Sequence, residues 1–73
     1  MEPRRIAMTL QVNGKPLELP AGSSVAALVE HLALGAKRVA VEVNRELVVK
    51  KEWSGHVLKD GDRVEVVSFV GGG

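Results

Sequence analysis

Two runs of alternating apolar and polar residues meet at Asn13-Gly14, and that arrangement restricts the fold more than any other feature of the chain. Met8, Leu10 and Val12 alternate with Thr9 and Gln11, and Leu17 and Leu19 resume the period beyond the pair. A repeat of two is that of a half-buried strand. Both residues of a tight two-residue connection must accept positive φ, which Asn and Gly do at least cost, so the segment predicts a β-hairpin. Pro20-Ala21-Gly22 ends the second strand, and Ser23 or Ser24 is placed to cap a helix beginning at about Val25 by accepting a hydrogen bond from an orphan N–H. Val25, Leu28, Val29 and Leu32 recur at i, i+3, i+4 and i+7 and make one apolar stripe, with Glu30 and His31 outside it. Gly35 is placed for the left-handed residue that ends the helix.

Strand signals return in the second half. Val39, Val41 and Val43 alternate with Ala40, Glu42 and Asn44, Asn44-Arg45 turns the chain, and Leu47-Val48-Val49 reads as a short fourth strand. Lys50 to Gly55 is irregular or a single helical turn, with Trp53 as a partly buried lid on the core. Asp60-Gly61-Asp62 is a tight turn that launches a last strand from about Arg63 to Phe69. The expected order is therefore ββαββ with a small extra turn: an α+β fold in which a sheet packs on one helix. In the last strand Val64 and Val66 point one way, while Val67 and Phe69 point the other. One pair must meet the helix; the other is either covered or left as an apolar patch of the kind that marks protein interfaces.

A chain of 73 residues makes one small domain with little room for an internal active site. Its 45% apolar and 26% charged residues fit a globular, soluble protein. The net charge is +1, and Arg4, Arg5, Lys37, Arg38, Lys50 and Lys51 are interleaved with acids, so no basic stripe points to nucleic acid. No apolar run approaches the roughly 20 residues that span a bilayer, and Met1-Glu2-Pro3-Arg4-Arg5 is not followed by an apolar signal region. The expectation is a cytoplasmic protein with no membrane partner. With no cysteine, disulfides, thiolate metal sites and cysteine nucleophiles all drop out. His31 and His56 are expected to be surface or half-buried residues, and no metal site is expected. A nucleophile beside a base, a glycine-rich phosphate loop and clustered carboxylates are all missing, so the chain is not read as an enzyme.

The sequence closes on Val70-Gly71-Gly72-Gly73, a slim stalk directly after the last strand. Glycine allows close backbone approach, so this tail could enter a narrow partner pocket and present a carboxylate there. The alternative is a frayed end. With 8 glycines in 73 residues, three in succession at a given place have chance odds of about one in a thousand. On the tail alone both readings stay open.

Taken together, Val12-Asn13-Gly14, Val39-Ala40-Val41-Glu42-Val43-Asn44, Trp53, Asp60-Gly61-Asp62-Arg63-Val64-Glu65-Val66-Val67 and Phe69-Val70-Gly71-Gly72-Gly73 closely resemble the ThiS family of thiamine-biosynthesis sulfur carriers, over about residues 8 to 73. The resemblance implies a ubiquitin-like β-grasp domain over 8–70 and a flexible glycine tail over 71–73, with residues 1–7 as an N-terminal extension and Met8 as an alternative start. It implies that Gly73 bears first an acyl-adenylate and then a thiocarboxylate, and that Gly71 and Gly72 form the thread entering partner pockets. The partners it implies are a ubiquitin-activating-like adenylyltransferase, which consumes ATP, a sulfur donor system such as a cysteine desulfurase, and thiazole synthase as acceptor. No cofactor is expected on the carrier itself. Val67, Phe69 and Val70 are expected to dock a partner. The sequence departs from the family at Arg45, where Gly commonly follows the Asn, and a different turn geometry is expected there.

Three alternatives stand beside this reading. The small subunit of molybdopterin synthase has a similar fold and Gly-Gly end but commonly carries prolines before the tail, and Val66 to Val70 has none. A carrier serving transfer-RNA thiolation or amino-acid biosynthesis would use the same activating chemistry. A β-grasp interaction module without chemistry would keep its function when Gly72-Gly73 is removed.

Overall fold

The computed structural model describes residues 7–35 and 38–69. The hairpin forms where the alternation places it: β1 (Ala7–Val12) and β2 (Lys15–Pro20) are antiparallel, with Val12 opposite Lys15 and Met8 opposite Leu19. Asn13 and Gly14 take φ of 51° and 83°, as the two-residue connection requires. Ala7, one residue before the point where the family pattern begins, belongs to β1. Residues 1–6 lie outside the described residues.

Helix α1 (Val25–His31) starts at Ser24, whose hydroxyl accepts from the Ala27 N–H at 3.1 Å. Ser23 instead donates its hydroxyl to the Pro20 carbonyl at 2.6 Å and closes the preceding turn. Seven residues are too few for an independently stable helix; burial of Val25 and Leu28 on the sheet holds it in place. The helix ends earlier than Gly35 suggests. Ala33, at φ 54°, is the left-handed residue after the last turn, and its N–H reaches the Glu30 carbonyl at 3.0 Å. Gly35, at φ 69°, serves the loop beyond.

The second half adds β3 (Arg38–Val43), β4 (Glu46–Leu47), a 3₁₀ helix over Lys50–Gly55, and β5 (Arg63–Phe69). The Asn44-Arg45 turn keeps the tight geometry, with φ of 52° and 72°, so the different geometry expected at Arg45 is not found. Arginine accepts a left-handed conformation that glycine adopts freely, at a cost of roughly 1–2 kcal/mol. The fourth strand is shorter than expected. Val48 still donates to the Val41 carbonyl at 2.9 Å, but the Trp53 indole N–H bonds the Val48 carbonyl at 2.8 Å and turns the chain into the 3₁₀ helix. Trp53 is thereby buried with its polar atom satisfied.

The sheet order is β2-β1-β5-β3-β4, with β1 and β5 parallel and every other neighbouring pair antiparallel. One face of this mixed sheet carries Leu10, Val41 and Val64, all fully buried beneath α1. Burying a side chain of this size stabilises by roughly 1.5–3 kcal/mol. This is a β-grasp arrangement, and it brings the chain's last strand to the centre of the sheet.

Candidate functional site

Strand β5 leads to the glycine tail, so its exit from the sheet defines the site. Along one side it pairs with β3, from Val43 opposite Val64 to Arg38 opposite Phe69. On the other side β1 reaches only to Gln11 opposite Arg63 and Val12 opposite Val64. The side-chain amide of Asn13 then takes over: it accepts from the Val66 N–H at 2.8 Å and donates to the Val66 carbonyl at 3.1 Å. A turn residue thus stands in for one more strand residue and holds β5 in line three residues before Phe69.

Period-two alternation divides β5 between two environments, in agreement with the sequence pattern. Val64 and Val66 are buried against the core, while Val67 and Phe69 are 51% and 50% exposed on the opposite face. Register adds neighbours that the sequence does not reveal. Ala40 lies opposite Val67, and Leu47 on β4 lies opposite Glu42 on the same outer face. Leu47 is 64% exposed, and Val49, on the far side of buried Val48, is 43% exposed. Isolated exposed apolar residues such as Leu47, which has Glu42 between it and β5, need no explanation, but Val67 and Phe69 stand next to each other on one face of β5 and make a small patch of the kind that marks a contact surface.

Charge borders the patch. Glu42 and Glu65 face each other directly across β3 and β5, both exposed, and like charges in that position oppose pairing.

Of the expected site residues, Val67 and Phe69 come together on the outer face. Val70, Gly71, Gly72 and Gly73 lie outside the described residues. His31 is exposed and His56 half-buried. Among the described residues no three His, Asp or Glu side chains are grouped to hold a metal ion, and no helix is long and apolar enough to cross a membrane. A cleft of about 530 Å³ opens between the hairpin and the end of α1, lined by Val12, Asn13, Lys15, Pro16, Leu17 and Leu32. Those residues include no acid–base or nucleophilic pair. The arrangement is suited to binding a surface and presenting the segment beyond Phe69.

A β-grasp domain whose central strand emerges beside an exposed apolar patch and runs into a glycine tail is a ubiquitin-like carrier in form. The ThiS family model matches residues 10–73, all but the first nine residues of the chain. The crystal structure of the thiamine biosynthesis protein ThiS from Geobacter metallireducens superimposes with a TM-score of 0.72 at 36% identity, covering 90% of this chain and 100% of that one. The sulfur carrier protein ThiS of Escherichia coli is 27% identical over 66 residues, 90% of this chain and 100% of its own length. A thiazole synthase from Paramagnetospirillum magneticum is 39% identical over 66 residues, and there the chain spans only 20% of the relative's length. The chain belongs to the ThiS family, the sulfur carriers of thiamine biosynthesis.

Proposed function

We propose that the protein is a cytoplasmic carrier, not an enzyme, whose Gly73 carboxylate receives sulfur and delivers it to thiazole synthase. The observation that carries this reading is the family match, which spans residues 10–73 and so extends to Gly73. Support for the acceptor comes from two proteins named thiazole synthase, each of which contains a stretch similar to this chain over 20% of its length.

The chemistry is set by the carboxylate. It is a poor electrophile, so sulfur cannot displace oxygen from it directly. An adenylyltransferase of the ubiquitin-activating kind joins the carboxylate oxygen to the α-phosphorus of ATP and releases pyrophosphate. A sulfide equivalent from a donor such as a cysteine desulfurase system then attacks the acyl carbon, and AMP leaves with the oxygen. The resulting thiocarboxylate is a sulfur nucleophile held on a protein without a thiol of its own. In this scheme Gly71 and Gly72 are slim enough to thread the pockets of both enzymes, while Val67, Phe69 and Val70 supply the docking surface. The carrier binds no cofactor, and ATP is consumed on its partner.

The test is the intact mass of the protein after incubation with ATP, an adenylating enzyme proven on another carrier, and a sulfur source. A gain equal to one oxygen exchanged for sulfur is expected, and deletion of Gly72-Gly73 should abolish it. No gain in the full chain would reassign the domain to an interaction module without chemistry.

A further inference from the structure

The edges of the sheet are treated unequally. On β1 the odd-numbered residues bond toward β5, with Gln11 N–H donating to the Asp62 carbonyl at 2.9 Å and Asn13 N–H to the Val64 carbonyl at 2.8 Å. The even-numbered residues therefore face β2, and in the register of the hairpin they meet Lys15, Leu17 and Leu19. The outward-facing backbone positions of β2 are Pro16, Glu18 and Pro20, two of which have no N–H to offer. The opposite edge, β4, is only two residues long. Prolines and very short strands are the devices by which natural sheets refuse additional strands.

One stretch of edge has neither device. Val66 turns its N–H and C=O toward Asn13, so by alternation Ser68 directs its own N–H and C=O to the same side. There β1 has already ended, and no strand of the described residues lies beside it. The unprotected edge is thus the root of the tail, flanked on the outer face by Val67 and Phe69.

We propose that this edge accepts an extended segment of thiazole synthase, which continues the line of β1 past Asn13 and pairs with the backbone of Ser68. The inference rests on the carrier reading above, and it names how the acceptor enzyme grips the carrier. Thiazole synthase is the occupant favoured because chains of that name contain a domain like this one, which holds the two surfaces at high effective concentration. Strand addition takes its affinity from main-chain hydrogen bonds and its specificity from neighbouring side-chain sites. Here the open backbone of Ser68 supplies the first and the Val67 and Phe69 side chains the second. A grip at Ser68 leaves five residues to Gly73, which extended span roughly 17 Å, enough to carry the terminal carboxylate into a buried pocket while the root is held in one direction.

The Ser68→Pro variant separates backbone from side chain. Proline at this position removes an N–H that faces away from β3 and fixes φ at a value that an edge position tolerates; Ser68→Ala keeps the N–H and removes the hydroxyl, which both variants lack. Binding of each thiocarboxylated protein to thiazole synthase is measured by titration. Expected is a loss of roughly tenfold or more for Ser68→Pro and no more than about twofold for Ser68→Ala. Equal affinity for Ser68→Pro and the unaltered chain overturns the proposal. Amide hydrogen exchange on the unaltered chain gives an answer independent of any variant: the Ser68 N–H should slow when thiazole synthase is added, and an unchanged rate in a saturated complex, or slowing with the adenylating enzyme alone, overturns it. If the unaltered chain takes up no sulfur and binds no synthase, the carrier reading itself has failed.

Discussion

The two ends of β5 are held in different ways, and the difference explains how a domain this small can present a tail. At its start a dense polar clamp fixes the strand. Asp62 accepts from the Lys59 N–H at 2.8 Å and from the Asn44 side-chain amide at 3.0 Å, Asn44 accepts from the Arg63 N–H at 3.0 Å, and Asp60 accepts from the Thr9 N–H at 2.7 Å. Two separate turns and the middle of β1 converge there. At its end the strand has β3 on one side and, on the other, the amide of Asn13 and then nothing further among the described residues. A strand anchored firmly at its origin can be lightly held at its exit without loss of register, and a lightly held exit can be taken up by a partner.

Asp62→Ala should break this contrast most severely. It removes a charged acceptor shared by two donors and leaves Asn44 with one fewer partner, at about 1.5–3 kcal/mol for bonds to a charged group, reduced somewhat by the partial exposure of the site. In a domain whose whole stability is of the order of 5 kcal/mol, the urea midpoint should fall markedly, while sulfur uptake below that midpoint stays intact. If uptake falls in parallel at low urea, the start of β5 also shapes the exit, and the two ends are not independent.

The start of β5 is more legible in the sequence than its exit. Asp60-Gly61-Asp62 and Asn13-Gly14 are local signals, and both turns form with the positive φ they call for, 88° at Gly61 and 51° at Asn13. The outward orientation of Val67 and Phe69 follows from a period of two. By contrast, the bond between Asn13 and Val66 links residues 53 apart, and an asparagine that already fits a turn gives no sign of a second duty. Leu47-Val48-Val49 reads as strand because a run of branched aliphatic residues favours β structure; the indole of Trp53 claims the Val48 carbonyl and stops the strand. Ala33 has no local preference for the left-handed conformation it adopts, so the end of α1 cannot be read from Gly35 alone.

Asn13→Gly sharpens the comparison from the other end. Glycine keeps the positive φ of the turn, so the substitution removes the two bonds to Val66 with little change to the hairpin, at about 1–2 kcal/mol. Exchange at the Val66 amide should accelerate more than exchange at Val64, which β1 still covers. Equal acceleration at both would mean that the hairpin itself had loosened, and that Asn13 acts through the turn instead of through β5.

Phe69→Ala should affect the fold least. The side chain is half exposed at the last described position of β5, and surface substitutions of this kind stay within about 0.5 kcal/mol. Its effect belongs to the complex: an aromatic residue central to a docking patch carries more than about 1 kcal/mol of binding energy, so affinity for the adenylating enzyme or thiazole synthase should fall roughly tenfold while the thermal midpoint hardly moves. Unchanged affinity for both enzymes with an intact fold would remove Phe69 from the docking surface and leave Val67 as the exposed apolar residue of β5 that could still serve it. A fall in stability as large as that of Asn13→Gly would show instead that the outer face helps hold the exit of β5, so that recognition and anchoring are not divided between the two faces of the strand.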